Sequence, residues 1–318
     1  MANTMPLPEW LRFIDSEYLS SFIRDGGASI KFAVTRDGLK PALYEALESQ
    51  CRTSGYVVVK LDAVATRVHM PQDIFFGIAN QVDWRLSARR LIMKLAAERG
   101  YRVDHLDPHQ DRNPFAAIGE ANALESESIY RELRPFIDSD VAKNRHMAKD
   151  FRVAMSHFCQ CENRRGNDSY VGQPLIDWLT GAVTRVSHVK PFSVYTSINR
   201  TTARHFIESA LYWFRYVGYA GTVILFDNSR VTLARNPKDG FRHYTRAMAM
   251  DHYEVLREFV DTTDQLTGAL MVVVTNSEFL DETGPKGYHI YQALMTRIMD
   301  DVHDKNQVNP MASLVRLS

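Results

Sequence analysis

Two runs in the last third of the chain constrain its fold more than anything else in it: T-V-I-L-F-D at 222–227 and A-L-M-V-V-V-T-N at 269–276. Neither alternates polar with apolar. Unbroken apolar runs of that length suit strands buried on both faces, the situation of parallel strands covered by helices on either side. Two earlier runs read the same way. S-I-K-F-A-V at 29–34 and G-Y-V-V-V-K-L-D-A at 55–63 are separated by a turn and a helical stretch, which makes a βαβ unit. A last short strand is expected in S-L-V-R-L near residue 315.

Helical periodicity fills the rest. The opening segment, 10–22, reads as an amphipathic helix through Leu11, Ile14, Tyr18 and Phe22, stopped by Gly26 and Gly27. Pro41 sits where a first helical turn tolerates proline. From about 71 to 200 the pattern is helical with no convincing strand, and the alternation of strand and helix then returns. The fold class is therefore α/β, a mainly parallel sheet with helices on both faces and a helical insertion between strands two and three. Residues 1–70 and 201–318 form the two parts of the core, and 71–200 form the insertion. The aromatic run Tyr212, Trp213, Phe214 and Tyr216 is expected to pack a helix against this sheet.

Bulk composition excludes several classes. With 45% hydrophobic residues the chain can build a core, and 38 basic against 38 acidic residues leave no net charge for a general grip on nucleic acid. Three cysteines, Cys51, Cys159 and Cys161, lack a disulfide framework, and His157, Cys159 and Cys161 alternate across a helix rather than sharing a metal-facing side. The opening residues have no signal-peptide pattern and no apolar stretch is long enough for a membrane helix, so a cytoplasmic protein without membrane contact is expected.

Ligands of open α/β sheets sit beyond the carboxyl ends of the strands. The turn after strand one is V-T-R-D-G-L-K-P, 34–41. Laid over the phosphate-binding pattern G-x-x-x-x-G-K-[ST], it keeps Lys40. Val34 and Leu39 stand where glycines would let the backbone wrap phosphates, and Pro41 replaces the magnesium-holding hydroxyl. Strand three ends in Asp227, the position of an acid that organises magnesium, followed by Asn228 where hydrolases carry a second acid. Strand four ends in Thr275 and Asn276, where a polar sensor of the γ-phosphate would stand.

Three stretches give this constellation a family resemblance: F-I-D-S-E-Y-L-S-S-F-I-R-D-G-G-A-S-I-K-F at 13–32, R-H-F-I-E-S-A-L-Y-W-F-R-Y-V-G-Y-A-G-T-V-I-L-F-D-N at 204–228, and 257–298 around L-M-V-V-V-T-N-S-E-F-L and Y-Q-A-L-M-T-R-I. The chain resembles the P-loop ATP-binding proteins of BREX-type phage-defence loci, and more broadly AAA+-like ATPases, along both ends, with a looser likeness in the middle. The resemblance implies a P-loop NTPase scaffold, a role in defence against phage, and operon partners of helicase, methyltransferase or nuclease class. It fixes 35–41 as the P-loop position and aligns Arg297 with a phosphate-sensing arginine. Its nucleotide-binding candidates are Arg36, Asp37, Gly38, Lys40, Asp227, Asn228, Asn276 and Arg297, with no catalytic or metal residue assigned.

Three functions stay open at this level. The first is a degenerate subunit, structural or regulatory, that docks partners without a cofactor. The second is an ATPase holding ATP and Mg2+ unconventionally through Arg36, Lys40, Asp227 and Arg297, as a homo-oligomer like AAA+ relatives. The third is a DNA-binding adaptor using the basic helix of Arg85, Arg89, Arg90 and Lys94, helped by Arg242, His243 and Arg246.

Overall fold

The computed structural model describes residues 4–110, 112–163, 170–299 and 308–318. The chain divides into two compact units, one of residues 1–78 with 219–318 and the other of residues 79–218.

The first unit is built on a five-stranded, all-parallel sheet: β1 Ala28–Val34, β2 Val57–Asp62, β3 Thr222–Asp227, β4 Ala269–Thr275 and β5 Leu314–Arg316. Their order across the sheet is β2-β3-β4-β1-β5. Register aligns the carboxyl ends: Asp62 lies opposite Asp227, Asp227 opposite Val274, Thr275 opposite Val34, and Val34 opposite Arg316. The α/β class and all five expected strands are thus present. Apolar runs do this because every residue of β4 is buried.

One face of the sheet, through Ala33, Val223, Leu225, Val272 and Val274, packs on α1 (Leu7–Phe13) and α2 (Lys40–Thr53), which contribute Trp10, Leu43, Leu47 and Cys51. On the other face Phe32 stacks on Phe279, and Phe226 on His252 of α11 (Arg246–Asp261). The remaining helices of this unit are α3 (Pro71–Ala79, whose last residue falls to the second unit), α10 (Ser229–Thr232) and α12 (Gln292–Ile298). The last helix is described to Ile298, and 300–307 lie outside the described residues.

The opening helix departs from its expected face. After α1 the chain winds as a π-helix, Ile14–Phe22, with Ile23 N–H donating to the Tyr18 carbonyl five residues back. The wider turn keeps Ile14 and Tyr18 inside, brings in Leu19 and Ile23, and turns Phe22 out to 46% exposure. Gly26 then takes a left-handed conformation (φ 104°), open to glycine without strain. At Gly221 a side chain is excluded by contact, because a Cβ would lie 2.6 Å from the Gly268 carbonyl. That closeness lets β3 start beside β4.

The second unit contains α4 (Trp84–Ala97), α5 (Pro114–Asn122), α6 (Ser126–Ile137), α7 (Lys149–Cys161), α8 (Gln173–Thr180) and α9 (Ala203–Tyr216). The aromatic run of α9 packs on α4 within this unit. Phe214 meets Trp84, and the Trp213 indole N–H donates to Ser87 Oγ at 2.9 Å. Proximity to β3 in sequence made the sheet look like the partner, whereas α9 belongs to the helical unit.

Candidate functional site

The carboxyl edge of the sheet gathers most of the sequence-derived candidates. Thr35 N–H extends the pairing by donating to the Thr275 carbonyl at 2.9 Å. Arg36 follows, then one 3-10 turn, Asp37–Leu39, and α2 begins at Lys40 with no side-chain cap. No residue between Thr35 and Leu39 has a positive φ. Gly38 has ordinary backbone angles, and a Cβ there would meet nothing within 4 Å.

Lys40 is drawn inward. Its ammonium donates to Ser229 Oγ and lies 3.0 Å from Asp37 Oδ1 and 3.8 Å from Asp227 Oδ1. Asp227 also accepts from the Ser229 N–H at 2.9 Å. Asn276 completes the network: its Oδ1 accepts from Thr232 Oγ1 at 2.8 Å and its Nδ2 donates to the Ser229 carbonyl at 3.4 Å. The ends of β1, β3 and β4 are therefore linked through α10. Ser229 and Thr232 were missed from sequence, although S-R-V-T directly after Asp-Asn is a polar signal at the right place. Asp62 and Tyr44 also belong here. Burial, then the charges of Asp227 and Asp62, push the Tyr44 hydroxyl pKa well above its ordinary value.

Beside this network lies a cavity of about 480 Å³ at the ends of β4, β1 and β5. Arg36, Asp37 and Asn276 line it, with Ser277, Arg316 and Thr4. The other candidates are elsewhere. Asn228 is fully buried, its backbone N–H donates to the Val274 carbonyl at 2.8 Å, and both side-chain polar atoms lack a hydrogen-bond partner among the described residues. Arg297 is ion-paired with Asp261, the last residue of α11, and its Nη1 donates to the Ala293 carbonyl at 2.6 Å. The connection from Asp261 runs directly to the amino end of β4, so Arg297 stands at the opposite edge of the sheet from Lys40. Sequence distance concealed this, because α11 and α12 pair with each other.

The basic helix also differs from an open cationic face. Arg89 is buried, with its Nε 2.8 Å from Glu162 Oε2; Arg85 reaches the other Glu162 oxygen at 2.8 Å and stacks over Tyr170. Lys94 donates to the Tyr216 carbonyl at 2.7 Å and lies over its ring. Arg90 lines a cavity with Lys94 and His109. Glu162 lies on the far side of three intervening helices in sequence, α5, α6 and α7, which is why α4 read as a free stripe. Among the described residues no group of three or more His, Cys, Asp or Glu side chains could hold a metal, and no helix is long and apolar enough to cross a membrane.

Comparison with known proteins gives one family. The model described as BREX system ATP-binding protein BrxC/D matches residues 115–318. The match takes in the 204–228 and 257–298 stretches and the middle helices from residue 115, while the 13–32 stretch and the 35–41 turn lie outside the matched span. Neither a curated protein nor a solved structure matches the chain.

Proposed function

The chain belongs to the BREX system ATP-binding protein BrxC/D family, with the parallel α/β sheet of a P-loop NTPase-like fold, and from that premise we propose that it serves a phage-defence system as a structural or regulatory subunit whose P-loop position has lost its phosphate cradle. On this reading it works by docking the system's other proteins.

The turn at 35–39 carries the proposal. A phosphate cradle is a concave row of backbone N–H groups, made by alternating right- and left-handed residues. No residue of this turn is left-handed. Pro41 removes one N–H from the first turn of α2 and supplies no hydroxyl for magnesium. Lys40 is already neutralised by Asp37 and Asp227. The residues at this edge do not fit ATP with Mg2+ bound in the manner the motif requires. Asn228 reinforces the reading, because an amide cannot act as a base and this one is sealed from solvent. The fold outlasts such losses, since its burial does not depend on the turn.

Calorimetry of the purified chain with ATP and Mg2+, against Lys40→Ala, tests this. No binding heat up to millimolar ATP is expected. Heat that disappears in Lys40→Ala would overturn the proposal. Affinity purification from the native host should recover the defence partners in stable association, and a chain recovered alone would count against docking as its role.

One observation favours a second reading, an ATP site displaced from the motif. Arg36 and Arg316 line the 480 Å³ cavity, and their guanidinium groups make no hydrogen bond or ion pair with a described residue. Binding heat retained in Lys40→Ala and lost in the double variant Arg36→Ala, Arg316→Ala would select it.

A further inference from the structure

The connection between β3 and α11 crosses the same carboxyl edge, and it is the more strongly built feature there. Residues 233–246 read L-A-R-N-P-K-D-G-F-R-H-Y-T-R, with four arginines or lysines and a histidine against one acid. That acid does not offset the outward charge. Asp239 is held by Arg230, whose Nη1 and Nη2 reach its two oxygens at 2.6 and 2.7 Å. The same guanidinium donates to the Arg242 carbonyl at 2.7 Å and the Phe241 carbonyl at 3.1 Å.

A second cation closes the base of the loop. Lys286 is buried; its ammonium donates to the Leu233 carbonyl at 2.8 Å and to the Tyr244 carbonyl, joining the two ends. The Tyr244 hydroxyl in turn donates to the carbonyls of Ala63 and Thr66, each at 2.9 Å. Two buried cations therefore act as internal struts of a compact surface loop.

With its frame fixed from inside, the loop turns its remaining cations outward. Arg235, Lys238 and Arg242 are exposed and make no ion pair with a described residue. Phe241 stands among them at 60% exposure, the side chain of the loop that solvation explains least. Lys238 holds a left-handed conformation (φ 57°), steadied by its N–H donating to Asn236 Oδ1 at 3.0 Å. Like charges crowd at the base: burial, then Lys286 and Arg230, lower the His243 pKa, and burial, then Arg242, lower that of His69. The three outward cations thus stand beside further cations at the base of the loop. A loop meant only to be soluble needs neither the buried struts nor the exposed ring.

We propose that residues 233–246 form a preorganised contact for a single-stranded nucleic acid, with Arg235, Lys238 and Arg242 on its phosphates and Phe241 stacked on a base. Cations that track a backbone beside an aromatic ring that stacks on bases are the general chemistry of such binding. It is independent of whether the 35–41 turn holds nucleotide. It also moves the cationic contact from α4, where Glu162 holds Arg85 and Arg89, to a loop whose cations are free to meet a ligand.

Fluorescence anisotropy of a labelled single-stranded oligonucleotide tests it with the intact chain at low ionic strength. Binding that weakens with salt is expected, as counterions are released from the phosphates. Phe241→Ala should weaken it by about fivefold or more. The triple variant Arg235→Ala, Lys238→Ala, Arg242→Ala should remove the salt-dependent part. Asp239→Asn separates shape from charge. It makes the loop more positive but releases the Arg230 clasp, so preorganisation requires weaker binding, and tighter binding would refute it. Thermal melting of each variant establishes that it is folded. Absence of binding, or full affinity in Phe241→Ala, overturns the proposal. So does displacement of the strand by polyglutamate at equal charge, which would assign the loop to an acidic protein segment.

Discussion

Two basic stretches of this chain look alike when written out and have opposite fates in the fold. On α4, Arg85 and Arg89 converge on the buried carboxylate of Glu162, and Lys94 is taken up by Tyr216. Around residues 233–246 two buried cations from outside the stretch, Arg230 and Lys286, bind its backbone and its one acid, while Arg235, Lys238 and Arg242 face solvent. The location of the acids decides between these outcomes. A carboxylate that reaches the cations from a distant helix turns a basic face into a fastening. A carboxylate placed inside the loop fastens one cation and exposes the others.

The strongest way to break the contrast is Glu162→Ala. It would take the Glu162 carboxylate away from the buried Arg89, so a loss of about 3–5 kcal/mol is expected in urea unfolding. A loss below about 1 kcal/mol would return the α4 cations to solvent and erase the difference.

Acid should act on the loop side. His252 stands fully buried against Phe226 beneath the loop; its Nδ1 donates to the Val68 carbonyl, and burial lowers its pKa to about 4. The unfolded chain takes up that proton near the ordinary value of about 6.5 while the folded one does not. Stability is therefore whole above about pH 6.5 and declines as pH falls towards 4, by up to roughly 3 kcal/mol. His252→Phe should flatten that slope across the interval, and an unchanged slope would exclude His252 as its source.

Lys286→Met should cost about 1–3 kcal/mol by leaving the Leu233 and Tyr244 carbonyls without their donor. It should also open residues 233–244 to limited proteolysis. Cleavage at the native rate would mean that Lys286 is not a strut. The smallest effect sharpens the comparison most. Lys238→Gly relieves the left-handed strain and should raise stability by up to about 1 kcal/mol, while strand binding weakens because a cation is lost. Stability and binding moving together would mean that the conformation at this position serves the fold alone.

The strands were readable because burial on both faces writes itself as an apolar run, and β1, β2, β3 and β4 each carry one. Lys40, Asp227 and Asn276 were readable because strand ends are fixed once strands are. What lay beyond reach was mostly long-range pairing. Nothing near α4 announces Glu162, nothing near α12 announces that Asp261 will hold Arg297 at the far edge, and Lys286 meets the 233–244 loop from beyond β4. The π-helical turns of 14–22 were hidden for another reason. The spacing of Ile14 and Tyr18 fits the ordinary turn equally well, and the choice rests on which of Phe22 and Ile23 finds the core.

The strand order has a consequence for how the chain comes into being. β1 and β2 are made first and are not neighbours; each must wait for a strand from the far side of the helical unit, Val57 for Thr222 and Ala28 for Ala269. Residues 79–218, continuous in sequence, can fold in the meantime, while two apolar runs remain unpaired. A released fragment ending at Gly218 is expected to show hydrogen-exchange protection in the helical unit and none in β1 or β2. During that interval the two earliest strands offer unpaired apolar edges to any other chain in the same state.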